Sequence, residues 1–407
     1  TQKQTASQPV RAAALICEYN PFHNGHKYHI EKTKELTGAD HVVAVMSGNY
    51  VQRGETSILS KWARAEAAVE NGVDLVLELP TVWSIARAQD FAAGAVSILN
   101  SLGCVDNISF GSECGDIDIL TKTAEVLEDR AVINRMKDNL EIGMSFAGAR
   151  AEAVRTLHGD IYYDILNEPN NTLGVEYIIA NSKCDKKAQM ITVQRKGAAH
   201  DSIIRSENFA SASEIRKMIL SDDSSWSRFV PQSVVDIFKR EEDKRTGPTP
   251  YSKLEFSILC CMRQLRAEDI AETPDVSEGM ENRIHDAALR AGTLEDLFSM
   301  AKTRRYPHAR IRRIVLAAFL GVTKEQCGGL PPYIKVLAMN DKGKEILKEA
   351  KGKAALPIVT KASDIDSLSE RAKEIYSLEG MCTDVYSLAT PVILPCGREQ
   401  TTGVIIK

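Results

Sequence analysis

The stretch Arg11–Ile30, RAAALICEYNPFHNGHKYHI, decides how this chain is to be read. Ala12–Ile16 is a short apolar run, which fits a strand buried on both faces. Pro21 ends regular pairing within Glu18-Tyr19-Asn20-Pro21-Phe22. From Asn24 to about Leu36 the spacing is helical. His23-Asn24-Gly25-His26 therefore stands where a buried strand has ended and a helix begins. A helix start offers free backbone N–H groups and the positive end of the helix dipole, so it takes anions. Gly25 lets a ligand approach the backbone. Two imidazoles on one side can donate to phosphate oxygens, which suits charge that builds up as pyrophosphate leaves an α-phosphate. The plainer alternative is a pair of surface or capping histidines. The position after the first strand favours the phosphate reading.

Working outward, strands and helices alternate. His41–Met46, Val73–Leu77, Asn107–Phe110 and Ala188–Gln194 read as further strands. Leu59–Glu70, Gln89–Leu102, Asp116–Met136, Met144–Leu157 and Thr172–Asn181 read as helices, with a turn at Asn167–Asn171. This rhythm predicts an α/β fold with a parallel sheet and ligands at the carboxyl ends of the strands. Those ends carry EYNPFHNGH, MSGNYVQRG, ELP and FGSE, all polar or glycine-bearing. Later, Ser211-Ala212-Ser213-Glu214-Ile215-Arg216 opens a helix with a capping box, Ser211 capping and Glu214 reaching back. Ser211, Ser213 and Arg216 at one helix start make a phosphate-binding cluster.

After about Ser224 the alternation stops. Arg240–Tyr251 is charged, then rich in Pro and Gly, and reads as a linker. Residues 253–350 are mostly helical by period, and the tail from Ser377 fits strand or coil. The organisation expected is a flexible lead-in over 1–10, an α/β domain over 11–224 that carries the phosphate site, and a mainly helical domain over 225–407 that is a candidate for binding nucleic acid. Within it, Lys302–Arg313 (KTRRYPHARIRR) holds Lys302, Arg304, Arg305, Arg310, Arg312 and Arg313 with no acidic residue, and Tyr306 and His308 between them. A basic stretch with aromatics suits phosphate contacts and base stacking. The plainer alternative pairs its arginines with the acidic stretch Glu268–Asp296. Lys61 and Arg64, at a helix start near the rim, are expected to touch phosphate or RNA, unless they form an ordinary exposed basic face. Gln52-Arg53-Gly54 is a similar rim loop.

Composition sets the bounds. The chain has 407 residues, of which 43% are apolar and 26% charged, enough for a core without staples. No apolar run nears the roughly 20 residues of a membrane helix, and the polar Thr1–Pro9 is no signal peptide. Nine scattered cysteines with no C-x-x-C pair speak against a disulfide frame or a zinc ribbon and for reduced thiols in the cytoplasm. No metal-ligand set is visible. The net charge of -4 leaves nucleic-acid binding to local patches.

The H-x-G-H with the later S-x-S-x-x-I-R-like element resembles the HIGH nucleotidylyltransferase superfamily, with its Rossmann-like fold. The segments EYNPFHNGHKYHI, VVAVMSGNYVQRGE, SKWARAEAA, GVDLVLELP, FAAGAVSILN, FGSECGDI and NEPNNTLGVEY resemble, more narrowly, the bacterial tRNA(Met) cytidine acetate ligase family. That resemblance is strong over residues 11–220 and looser beyond. It implies an enzyme that activates acetate with ATP as acetyl-adenylate and acylates N4 of the wobble cytidine of elongator tRNA(Met). It implies an ATP site formed by Ile16, Cys17, Glu18, Tyr19, Asn20, Pro21, Phe22, His23, Asn24, Gly25, His26 and His29, with Gly111, Asn170 or its neighbour Asn171, and Arg195. His23 and His26 are the expected catalytic pair. Magnesium is expected with the triphosphate. The KMSKS loop of class I aminoacyl-tRNA synthetases is absent, which argues against such a synthetase. The alternatives are a small-molecule nucleotidylyltransferase and a non-catalytic ATP or RNA binder. The residues after 224 favour a macromolecular acceptor over the first, and intact His23 and His26 argue against the second.

Overall fold

The computed structural model describes residues 10–195, 208–277 and 279–407. Residues 1–9, nearly all of the expected lead-in, lie outside them. Ten strands form: β1 (Ala12–Cys17), β2 (His41–Ser47), β3 (Tyr50–Val51), β4 (Glu55–Thr56), β5 (Leu75–Leu79), β6 (Val105–Ser112), β7 (Gln189–Gln194), β8 (Ile334–Met339), β9 (Ile358–Val359) and β10 (Ile405–Ile406). In the first 220 residues ten helices accompany them: α1 (Asn24–Thr37), α2 (Lys61–Glu70), α3 (Thr81–Ser84), α4 (Ala88–Ser101), α5 (Ile117–Glu128), α6 (Arg130–Glu141), α7 (Phe146–His158), α8 (Asp160–Asn167), α9 (Pro169–Ser182) and α10 (Ala212–Leu220).

The main sheet runs β10-β8-β5-β2-β1-β6-β7, with β9 also paired to β8. Five successive strands, β5-β2-β1-β6-β7, are parallel, as the apolar runs predict, because strands covered on both faces need no polar alternation. From β1 the chain moves outward through β2 to β5, then returns to β6 and β7 on the other side. Strand order thus reverses between β1 and β6, and a crevice opens beyond their carboxyl ends. His23 follows β1, and Gly111 lies near the end of β6.

Three readings of the later chain change. β8 pairs antiparallel with β5, and β10 then pairs with β8. The sheet and both apolar cores therefore run across the boundary expected at 224, and the helical part is built onto the sheet. A short apolar run such as IKVLAM carries no period that separates strand from helix. Arg240–Tyr251 is not a linker. Arg240 stands in the last turn of a helix, Gln232–Asp243, and grips both oxygens of Glu66 at 2.8 and 2.7 Å. The buried Thr249 donates its N–H to the Ile58 carbonyl. The ambiguous tail opens as the last turns of a helix, Glu370–Tyr386, and ends in the short strand β10.

Candidate active site

His23 is the N-cap of α1. Its Nδ1 accepts the Gly25 N–H at 3.0 Å, and its own N–H donates to His26 Nδ1 at 3.2 Å. This is a capping box built from two histidines. It satisfies two donors at the helix start and also fixes the imidazoles chemically. With both Nδ1 atoms accepting, each neutral ring carries its proton on Nε2. The rings stack at 3.6 Å between centroids, 20° apart in plane. Tyr19 and Phe22 pack on His26 at 4.8 and 5.6 Å. Gly25 has a second use besides ligand approach, since a Cβ there would lie 2.9 Å from His23 Cε1. The capping reading and the phosphate reading are therefore compatible: Nδ1 caps, and Nε2–H remains for an anion.

The other rim residues gather around this pair. His29, one turn on, shares a hydrogen bond with Ser109 Oγ of β6 at 3.0 Å, and Thr33 donates to the same oxygen at 2.8 Å. A Cβ on Gly111 would sit 3.2 Å from the Arg195 side chain. Asn167–Asn171 is not a turn, because α9 begins at Pro169, a residue suited to a first helical position. Glu113 holds that helix start: its carboxylate accepts the Asn170 and Asn171 N–H groups at 3.2 and 2.8 Å. Asn171 reciprocates, its Oδ1 accepting the N–H groups of Glu113 and Cys114. Asn171 is buried and structural, whereas Asn170 is half-buried and donates to Glu113 at 2.6 Å. Sequence reading quoted Glu113 within FGSE but gave it no role. A carboxylate one residue past a strand end was the available signal.

The loop between β1 and α1 is held from several sides. Tyr19 adopts φ +47°, a left-handed conformation that costs a non-glycine residue about 1–2 kcal/mol. Asn20 accepts the Ile58 N–H at 2.7 Å. Arg216 donates to the Asn20 carbonyl at 2.8 Å and to Glu55 at 2.9 Å, and Asn24 donates to the Asn208 and Arg228 carbonyls. The α10 cluster thus reaches the histidine loop, but Arg216 supports that loop instead of standing free for phosphate. Ser211 and Glu214 form the expected capping box, and Ser213 lies in its first turn. Ile16, Tyr19, Asn20, Pro21 and Phe22 are buried, so their side chains shape the loop from within. Cys17 and Glu18 are half-buried. Cys17 donates to the Val45 carbonyl, and Glu18 accepts the Gln52 N–H at 2.7 Å.

Lys61 and Arg64 do not touch solvent and cannot meet RNA. Arg64 is 1% exposed and donates to the carbonyls of Glu18, Ser47, Gly48 and Leu59, tying the ends of β1 and β2 together. Lys61, wholly buried, lies 2.5 Å from Glu78, 2.7 Å from Glu399 and 3.7 Å from Glu379. Lys335 joins the cluster through Glu78 and Glu399. The basic stretch divides. Lys302 and Arg304 are exposed, and Arg305 and Arg312 are half-buried. Arg310 and Arg313 pair with Asp275 at 3.2 and 3.3 Å, as the plainer alternative had it. Tyr306 is not available for stacking: it is buried, with its hydroxyl donating to the Ser277 carbonyl at 2.7 Å.

Charge completes the picture. Burial, and then the Arg195 charge, push His23 down to about 3 and His29 down to about 4. Burial, then His23, Arg195 and His29, push His26 well below its ordinary value. All three are neutral donors at pH 7. An unfolded histidine titrates near 6.5, so below that pH the unfolded chain takes up protons that the folded site refuses. These residues are therefore indifferent to pH above about 7 and destabilise the fold as pH falls from about 6.5 towards 4. A triphosphate beside them should raise all three, so ATP binding near pH 5 should take up protons. Calorimetry in two buffers of different ionisation enthalpy measures this, and zero uptake would mean that the imidazoles do not face phosphate.

A family described as HIGH Nucleotidyl Transferase matches residues 10–400. A protein of Thermoanaerobacter sp. (strain X514) named tRNA(Met) cytidine acetate ligase is 40% identical over 382 residues, covering 92% of this chain and 94% of the relative. One of the same name from Acetivibrio thermocellus is 38% identical, covering 98% of this chain and 100% of the relative. The crystal structure of Thermotoga maritima TmcAL bound with alpha-thio ATP superposes with a TM-score of 0.91 at 32% identity, covering 98% of this chain and 99% of that one.

Proposed function

This chain belongs to the HIGH nucleotidyl transferase family, among the tRNA(Met) cytidine acetate ligases, and from that premise we propose a reaction in two steps. First, an acetate oxygen attacks the α-phosphorus of ATP. The bond from that phosphorus to the bridging oxygen breaks, and pyrophosphate leaves with the bonding pair. Acetyl-adenylate remains. Second, the exocyclic N4 amine of the wobble cytidine of elongator tRNA(Met) attacks the acetyl carbonyl carbon. AMP leaves, and the nitrogen gives up a proton as the amide forms. Acetate alone has an oxide leaving group, and AMP is a far better one. The protein's part is positioning and stabilisation of charge.

The observation that carries this reading is the pair of Nε2–H donors fixed by the histidine capping box, beside the crevice between β1 and β6. Their rings are held before ATP arrives, so no reorganisation is needed as charge moves onto pyrophosphate. Arg195 adds positive charge at the same rim, and Asn170 offers an amide to adenine or ribose. Magnesium is proposed to accompany the triphosphate; among the described residues no group of three or more His, Cys, Asp or Glu side chains could hold a metal ion. No helix among the described residues is long and apolar enough to cross a membrane. The proposed place of action is the cytoplasm, with tRNA and ATP.

The test is pyrophosphate release from ATP with and without acetate and elongator tRNA(Met), reading the tRNA for N4-acetylcytidine. Acetate-dependent release with wobble acetylation is the expected result. Release indifferent to both, but responsive to a phosphorylated cofactor precursor, would place the protein among small-molecule nucleotidylyltransferases.

A further inference from the structure

The second step sheds a proton from N4, and the histidine pair cannot take it. His23 Nδ1 and His26 Nδ1 both accept backbone N–H groups, and their Nε2 atoms already carry protons. His29 shares one nitrogen with Ser109, and burial holds it down at about 4, which makes it a weak base. One carboxylate at the same rim has chemistry that neither step uses. Glu18 directly follows β1, and its neighbour Tyr19 packs on the His26 ring at 4.8 Å. Tyr177 of α9 stands close enough to feel the Glu18 charge, and its ring packs on Phe110 of β6 at 5.7 Å. Glu18 therefore lies on the β6 side of β1, at the crevice where strand order reverses.

The two oxygens of Glu18 differ. Oε1 accepts the Gln52 N–H at 2.7 Å, which fixes the carboxylate in place. Oε2 has no hydrogen-bond or ion-pair partner among the described residues, and it is not sealed in the core. The two arginines nearby are committed elsewhere. Arg64 directs its guanidinium to the carbonyls of Glu18, Ser47, Gly48 and Leu59, and Arg216 directs its own to the Asn20 carbonyl and to Glu55. Burial raises the Glu18 carboxyl above its ordinary range, against the opposing pull of the Gln52 N–H, Arg64 and Arg216. A carboxylate with raised proton affinity, one oxygen pinned and the other open, is suited to act as a general base. It would repel an ATP phosphate, so the open oxygen suits an N–H or O–H donor instead.

Resting on the ligase reading, we propose that Glu18 is the general base of acetyl transfer. The N4 lone pair forms a bond to the acetyl carbonyl carbon, and the carbonyl π pair moves onto oxygen. Glu18 Oε2 takes one N4 proton, and the pair from that N–H bond stays on nitrogen. The carbonyl re-forms as the carbon–oxygen bond to AMP breaks, and AMP leaves with that bonding pair. Glu18 then gives the proton to solvent. The exocyclic amine of cytosine is conjugated with its ring and is a weak nucleophile, so removal of its proton is the help this step needs. The first step has no such need, because acetate attacks as an anion with no proton to lose.

The test compares wild type with Glu18→Gln in each half-reaction separately. Glutamine has nearly the same shape, and its Oε1 can still accept the Gln52 N–H, so the loop keeps its support. Single-turnover acetyl transfer from synthetic acetyl-adenylate to elongator tRNA(Met) should fall by about 10²–10⁴-fold. Acetate-dependent ATP–pyrophosphate exchange should fall far less. Both rates are read on one preparation, so their ratio does not depend on the fraction folded. Equal losses in the two would make Glu18 a support for the loop or for ATP and overturn the proposal, as would wild-type transfer. The pH profile gives a second readout: wild-type transfer should rise with pH as Glu18 loses its proton, and Glu18→Gln should lack that limb. Arg64, Arg216, Glu55, Tyr177 and Cys17 also face Glu18, but both proteins contain them, so they cannot produce a limb seen in one alone. The same limb in both overturns the proposal. Should Glu18→Gln not fold at all, a wild-type transfer rate that stays flat between about pH 4 and 7 overturns it. Wild-type exchange that ignores acetate sinks the ligase reading, whereas acetate-dependent exchange with intact transfer in Glu18→Gln sinks only the role of Glu18.

Discussion

Replacing His26 by alanine should lower acetate-dependent pyrophosphate release by about 10²–10³-fold, the loss typical of one donor to transition-state charge. Alanine removes two things at once, the Nε2–H and the Nδ1 that accepts the His23 N–H. The substitution His26→Asn separates them. An asparagine carbonyl oxygen falls near the Nδ1 position and can keep the cap, but nothing reaches the place of Nε2. The expected result is that His26→Asn is as slow as His26→Ala and closer to wild type in thermal stability. A cap alone is worth about 0.5–2 kcal/mol of stability, so its repair should be visible in the melt. Wild-type turnover in His26→Asn would show that the residue only caps the helix.

The second large effect is expected in the buried charge cluster around Lys61. Substituting Lys61 by methionine should destabilise the protein by about 3–5 kcal/mol, because it strips an ammonium from between buried carboxylates. Glu78, Glu379 and Glu399 would then share the single charge of Lys335 in a region closed to water. The measurement is the midpoint of urea unfolding, read beside Lys61→Met/Glu78→Gln. Neutralising one orphaned carboxylate should recover part of the loss, so the two changes should combine non-additively. A Lys61→Met protein with a wild-type midpoint would mean that the cluster is not charged as drawn.

These two residues also show what could be read from the sequence and what could not. The parallel strands were legible because strands covered on both faces leave uninterrupted apolar text, and the text after β1 pointed to the candidate site. His23 and His26 could be placed because their chemistry is local, three residues apart at a helix start. Lys61 could not. In SKWAR it looks like any solvated basic residue, and its partners Glu379 and Glu399 lie more than 300 residues on. Arg64 failed for a related reason: it binds carbonyls, which leave no trace in side-chain identity. Arg310 and Arg313 were visible as a basic stretch, but their pairing with Asp275 depends on where the turn that holds Asp275 meets their helix. Tyr306 shows the same limit, since spacing alone does not say whether an aromatic faces water or core. Spacing does not separate Asn170 from Asn171 either; only the fold shows that Asn171 is buried and Asn170 half-buried.

The late return of β8 and β10 to the sheet bears on how the molecule is made. During synthesis β5 emerges early, yet its outer edge stays unpaired until residue 339 has left the ribosome, and β8 in turn waits for Ile405. For most of that interval an apolar strand edge is open to other nascent chains, the kind of surface on which misassembly begins. The histidine loop sits on the same sheet, so a prematurely terminated chain would carry the nucleotide-handling text without the closing strands. Quality control at the C-terminus thereby becomes quality control of the active site.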